Sequence, residues 1–214
     1  MTAADDSGQQ ATPAAADRQA LEIALFPLGV VLFPGGVLPL KVFEQRYLDM
    51  TADCIRNEMP FGVCLIASGQ EVGAAAEPWQ VGTLAHIVEV DVPQLGIMQL
   101  TVRGGRRFRI VATTRLAGGL LRARVTQLAE PAERLPTRHA ALHALLQAIA
   151  AELAPGQLPP PHAFDDAAWV GYRLAELLPL APLARQALLE LGDPAARLDA
   201  LAAHVSLQRL IGGE

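Results

Sequence analysis

The stretch Leu25-Phe26-Pro27-Leu28-Gly29-Val30-Val31-Leu32-Phe33-Pro34-Gly35-Gly36-Val37-Leu38-Pro39-Leu40-Lys41-Val42-Phe43-Glu44-Gln45-Arg46-Tyr47-Leu48-Asp49-Met50 decides the fold. It opens with short apolar runs cut by Pro and Gly. Leu21 to Phe26 alternates weakly and ends at Pro27, and Leu28 to Phe33 is a second apolar run stopped by Pro34-Gly35-Gly36. Pro fixes one φ and Gly tolerates a positive one, so Pro-Gly is a turn signal. Val37 to Val42 resumes an extended run. The period then changes: Phe43, Tyr47, Met50 and Cys54 stand at helical spacing and predict one buried helix face. Pro60 stops that helix.

Beyond it the short runs return. Phe61 to Ala67, Gly82 to Val90, Gly96 to Val102, Arg107 to Thr113 and Leu120 to Leu128 are predicted strands, with a turn at Gly104-Gly105 between two of them. In the last run Leu121, Ala123 and Val125 face one side and Arg122, Arg124 and Thr126 the other. Several short strands at close spacing favour a closed or nearly closed sheet, which also removes exposed edges.

From Pro136 onward the pattern is helical. Thr137 is a candidate cap for a helix striped by Leu142, Leu145, Leu146, Ile149 and Leu153, ended by Pro155-Gly156. Further helices are predicted over Asp165 to Leu178 and Pro182 to Leu191. A fourth starts at Asp193-Pro194, an N-cap acid followed by Pro at the first helical position. Short helices of this kind need packing partners. The expected organisation is therefore a disordered tail over 1–20, a β domain over 21–130 and a helical domain over 131–214, in the α+β class.

The 214 residues carry a formal net charge of -5, with 51% hydrophobic and 18% charged residues. That composition excludes a disordered chain, and the acidic balance argues against general nucleic-acid binding. Lys41 is the only lysine among 17 basic residues. Met1 to Asp6 has neither the basic nor the apolar region of a secretory signal, and no run spans a membrane. Cys54 and Cys64 read as free buried thiols. A cytoplasmic location is expected.

The block over 25–50 resembles the opening of the N-terminal domain of the Lon protease, and three pieces follow in matching order. Phe61-Gly62-Val63, Val81-Gly82-Thr83-Leu84-Ala85 and Gly105-Arg106-Arg107-Phe108-Arg109-Ile110 resemble that family's later motifs. The resemblance implies a PUA-like β-barrel or pseudobarrel with one packed helix, followed by a small all-α domain. It also implies a non-catalytic protein that binds unfolded or peptide segments of other proteins, with no cofactor and no metal. The ATPase and proteolytic functions belong to other parts of Lon. A Walker A loop needs a Gly-rich turn followed by Lys and Ser or Thr, and none exists here. A Ser-Lys dyad would have to use Lys41, which lies inside the block, with Ser7, Ser68 or Ser206.

The expected peptide contact is a groove between barrel and helices or an apolar patch at Leu32, Phe33 and Pro34, flanked by Arg107 and Arg109. Glu44, Arg46 and Tyr47 are expected to fix the turn before the first helix. The alternative reading is an RNA-binding PUA-like module that uses the arginines from Arg103 to Arg109. Against it, strand alternation would turn Arg107 and Arg109 to solvent with Phe108 and Ile110 inward, or the arginines would pair with acids. His139 and His143, four apart, read as a solvated helix face, because Ala140 stands where a zinc peptidase needs Glu. His86 reads as a structural strand residue. Asp165, Asp166 and Glu176 form no paired-acid site.

Overall fold

The computed structural model describes residues 20–71, 76–154 and 156–211, so residues 1–19 of the expected tail and Pro155 lie outside the described residues, while Ala20, the tail's last residue, is already strand. The chain folds as a mixed α+β structure. Strands β1 (Ala20–Leu28), β2 (Val37–Val42), β3 (Phe61–Ser68), β4 (Glu77–Pro78), β5 (Val81–Gln94), β6 (Ile97–Arg115) and β7 (Leu121–Gln127) make one sheet. Helix α1 (Gln45–Asn57) lies between β2 and β3. A 3-10 turn (Thr137–His139) and helices α2 (Ala140–Glu152), α3 (Ala167–Leu177), α4 (Pro182–Glu190) and α5 (Pro194–Ile211) follow the sheet.

The strand path runs β1-β7-β6-β5-β3-β4, with β2 added on β6. All pairings are antiparallel except one: β1 runs parallel to β3, Leu25 opposite Gly62 and Leu28 opposite Leu65. That pairing brings the far end of the path back towards its start, while β2 and β4 stay outside. The result is a mixed sheet curled on itself rather than a regular barrel. Its inside is apolar: Ile23, Leu25, Cys64, Leu84, Phe108, Ile110, Leu121, Ala123 and Val125 form one cluster. A second cluster joins Tyr47, Met50 and Cys54 of α1 to Phe26, Phe61, Leu100 and Val102. The Phe26 and Tyr47 rings stack at 4.1 Å.

Local details depart from the sequence pattern. Leu28 to Phe33 is not a strand; β1 continues through Pro27 to Leu28, and a loop follows. Helix α1 begins one residue after Glu44, which is extended (ψ 133°), so Phe43 lies outside the helix and is 51% exposed. It is therefore not part of the buried stripe. Glu58, in the left-handed conformation, ends the helix before Pro60 is reached. Gly104-Gly105 is no turn, because β6 runs unbroken through it. The hairpin reverses instead at Leu95-Gly96, where Gly96 has φ +82°. Gly104 is needed for a close approach. Its carbonyl accepts from Gly35 N at 2.7 Å and its N–H donates to Gly36 O at 2.8 Å, laying the Pro34-Gly35-Gly36 turn against β6.

Among the helices, Thr137 is inside the 3-10 turn and makes no capping bond. Asp166 caps α3 by accepting from Trp169 N at 2.6 Å, and Asp193 accepts from Ala195 N at 3.0 Å at the head of α5. The helices bury Leu142, Leu146, Val170, Leu174, Leu189, Leu198 and Leu201 together, and Phe33 and Val81 of the sheet half complete that cluster. His139 is buried, not solvated; its ring lies 2.6 Å from Asp199. His143 meets the edge of Phe164, and His86 is exposed on β5.

Candidate functional site

The sheet and the helical cluster meet where the sequence suggested a groove, and the space is filled. Leu32 and Phe33 are buried there. Thr83, fully buried on β5, donates its hydroxyl to Leu32 O at 2.6 Å. The Phe33 ring tilts against Tyr172 at 5.8 Å, and Pro34 O accepts from Arg173 at 2.7 Å. Gln186 of α4 donates to Val81 O at 3.0 Å.

Arg107 is 0% exposed, so the alternation that would turn it to solvent fails there, while the expected pairing with an acid is met by Glu130. It does share a face with Arg109, but the helices cover that face at Arg107 and leave Arg109 exposed. Arg107 donates to Glu130 at 2.6 Å and to Leu189 O and Leu191 O at 2.7 Å each. These carbonyls belong to the end of α4, where helix carbonyls lack intrahelical partners. Arg197 of α5 donates to Leu188 O and Leu191 O from the other side. Both guanidiniums lie over the Tyr172 ring, whose hydroxyl donates to Glu130 at 2.7 Å. Burial drives the Tyr172 phenol well above its usual range. Leu32, Phe33 and Arg107 thus join the two halves of the chain and offer no open surface. The basic run is likewise dispersed: Arg103 donates to Pro160 O at 3.3 Å, while Arg106 and Arg109 point to solvent.

Open apolar surface is found instead around α1. Glu44 and Arg46 pair at 2.8 Å, Arg46 reaches Gly119 O at 3.3 Å, and its guanidinium lies 4.7 Å from the centre of the Tyr47 ring. Burial raises the Tyr47 phenol, Arg46 opposes that shift, and Glu44 and Glu71 add to it. These contacts fix the entry to α1 and leave a groove of about 280 Å³ between β2 and the helix start. Phe26, Leu28, Val30, Leu38, Leu40 and Phe43 line it, with Lys41, Glu44 and Glu71 at its polar margin. Val30 and Phe43 stand exposed at its mouth. The outer edge of β2 pairs with no other strand among the described residues. A second groove, about 350 Å³, runs between the end of α1 and β5. Sequence reasoning missed both grooves. The one available signal was Phe43 standing immediately before an N-cap acid.

Among the described residues no group of three His, Cys, Asp or Glu side chains is placed to hold a metal ion, and no helix is long and apolar enough to cross a membrane. The family of the ATP-dependent protease La (LON) substrate-binding domain matches residues 22–206. The crystal structure of a Lon N-terminal domain protein from Xanthomonas campestris is 38% identical, with a TM-score of 0.73 over 86% of this chain and 98% of that one. The N-terminal domain of a Mycobacterium avium complex Lon protease shares the fold at 18% identity, TM-score 0.61, over 87% of this chain and 98% of that chain. Lon protease 2 of Myxococcus xanthus is 36% identical over 96 residues, 44% of this chain and 12% of that protein. The Lon protease of Methylocella silvestris is 28% identical over 187 residues, 81% of this chain and 22% of that protein. The chain spans about a tenth to a fifth of the length of these proteases, and its residues 22–206 match the substrate-binding domain model. By this match across most of its length, the chain belongs to the ATP-dependent protease La (LON) substrate-binding domain family.

Proposed function

We propose that this chain holds exposed, extended segments of other proteins, without chemistry of its own, and that the groove between β2 and α1 is a contact site. The carrying observation is Phe43: a large aromatic side chain, 51% exposed, lining an apolar groove beside a strand edge that is unpaired among the described residues. Extended peptides use such an edge for main-chain hydrogen bonds and the adjacent pockets for side chains. Exposed aromatic anchors supply much of the binding energy in interfaces of this kind. The curled sheet with one packed helix fits a PUA-like pseudobarrel. We read residues 21–130 and 131–214 as its sheet and helical units, with the second bracing the first, and the setting as the cytoplasm. Fluorescence anisotropy with a labelled, permanently unfolded protein tests the reading. Phe43→Asp and Val30→Asp should each weaken binding about tenfold or more while thermal stability is kept. Saturable binding that neither substitution changes would remove the groove from the reading, and no saturable binding at all would end it.

A further inference from the structure

The second groove differs in charge from the first. Ile55 and Met59 at the end of α1 and Val88 and Val90 on β5 are all exposed, and all four line it. Water-exposed aliphatic side chains gathered in one groove mark a contact surface. Beyond Ala85, β5 leaves β3 and pairs only with β6 among the described residues, so from His86 to Gln94 its other edge is open.

Three of the polar groups around this edge are acidic, against one histidine, His86, in the groove and one lysine, Lys41, in the neighbouring hollow that Glu89 and Asp91 also line. Glu58 and Glu89 line the groove and Asp91 follows on the same strand. Glu89 accepts a hydrogen bond from Thr101 at 3.3 Å, and neither Glu58 nor Asp91 has an ion-pair partner among the described residues. The C-terminal end of α1 adds the partial negative charge of its carbonyls. Arg56, in its last turn, is already paired with Asp53 at 2.8 Å. Arg103, opposite His86 on β6, donates instead to Pro160 O.

We propose that the open edge of β5 takes an extended polypeptide segment in which aliphatic residues alternate with Arg or Lys, added as a further strand. The aliphatic side chains would meet Ile55, Met59, Val88 and Val90, and the cations Glu58, Glu89 and Asp91. A second copy of this chain is the poorer occupant. Two antiparallel β5 edges centred on Val90 would set Glu89 of each copy against Asp91 of the other, and like charges placed opposite each other destabilise a strand pair. The inference rests on the polypeptide-binding reading and adds a second site with a sequence preference.

Calorimetric titration of the full chain with two synthetic peptides tests it, one of alternating Arg and Val and one of alternating Glu and Val. The Arg-Val peptide should bind about tenfold more tightly, the size two or three exposed ion pairs give, and should weaken as salt is raised. The double substitution Glu58→Lys with Glu89→Lys should reverse the preference, and Phe43→Asp should leave it intact. Equal binding of both peptides, insensitivity to salt, or loss through Phe43→Asp would each overturn the site. So would a concentration-dependent dimer, seen by light scattering, that the double substitution disperses. If the Arg-Val peptide fails to bind while an unfolded protein still binds through Phe43, the inference falls and the broader reading stands. If neither binds, both fall.

Discussion

Arg107 on β6 and Arg197 on α5 donate to the same acceptor, the carbonyl oxygen of Leu191 just past the end of α4. Two cations from opposite halves of the chain thus converge on one helix terminus, with Glu130 as the nearby counter-charge. Removing one partner from a buried pair costs more than the pair contributes, because the other group stays desolvated. Arg107→Ala should lower stability by about 3–5 kcal/mol. Arg107→Lys should recover little, since one ammonium cannot span Glu130, Leu189 O and Leu191 O in the same fork. Urea unfolding followed by circular dichroism reads this; a loss below 1 kcal/mol would contradict the arrangement.

The approach of the Pro34-Gly35-Gly36 turn to β6 predicts a second effect. A Cβ on Gly104 would stand 2.1 Å from the Phe33 carbonyl oxygen and 3.0 Å from its carbonyl carbon, both backbone atoms. The turn must then move away from β6 and lose its two backbone bonds to residue 104. Gly104→Ala should destabilise by about 1–3 kcal/mol or more. Gly118→Ala, where a Cβ meets nothing within 4 Å, serves as the neutral control in the same denaturation experiment.

Thr83 gives a smaller, cleaner case. Its hydroxyl is the partner of Leu32 O in a site closed to water. Thr83→Val keeps the shape and orphans the carbonyl, so about 1–3 kcal/mol should be lost. Thr83→Ser should retain most of the stability, which thermal melts would show.

Glu176 predicts a pH dependence. Its carboxylate packs under Gly36 and pairs with Arg173 at 3.2 Å. Burial pushes this carboxyl up to about 7 from its ordinary 4.5, and the opposing pull of Arg173 and Arg185 does not restore it. The folded chain therefore holds this proton more tightly than the unfolded chain. The resulting stabilisation is complete below about 4.5 and is lost as the pH rises through about 7. Glu176→Gln, which keeps a neutral side chain, should gain stability relative to the parent as the pH rises through that window and match it at the acidic end. Parallel melting curves across the range would show a constant difference if Glu176 titrated normally.

What the sequence made legible was local. The alternation of β7, the stripe Tyr47, Met50 and Cys54, and the Asp193-Pro194 helix start each follow from neighbours within a few residues, and each is found in place. The family block was equally visible because its motifs are contiguous. What escaped depends on distant partners. Leu32 and Phe33 looked like a surface patch, but Tyr172 and Arg173, which close over the loop, lie well over a hundred positions away. Alternation sent Arg107 to solvent, and only the placement of α4 and α5 covers it. Gly104 carried a turn signal, yet its lack of a side chain serves a contact with another segment. Phe43 fitted the helical period by spacing alone; the extended backbone of Glu44 sets it outside the helix and at the mouth of the groove.

The place of β1 bears on how the chain comes off the ribosome. Among the described residues β1 is the first strand made; it has two neighbours, β3 beside it in parallel and β7 in antiparallel, and β7 is the last of these strands to be synthesised. Half of the hydrogen-bonding capacity of β1 thus waits until nearly all the sheet-forming sequence has emerged. Such long-range closure is entropically costly and slow. Nascent chains cut short of Leu121 should therefore be the aggregation-prone ones, and chains long enough to expose Gln127 the first to resist a protease.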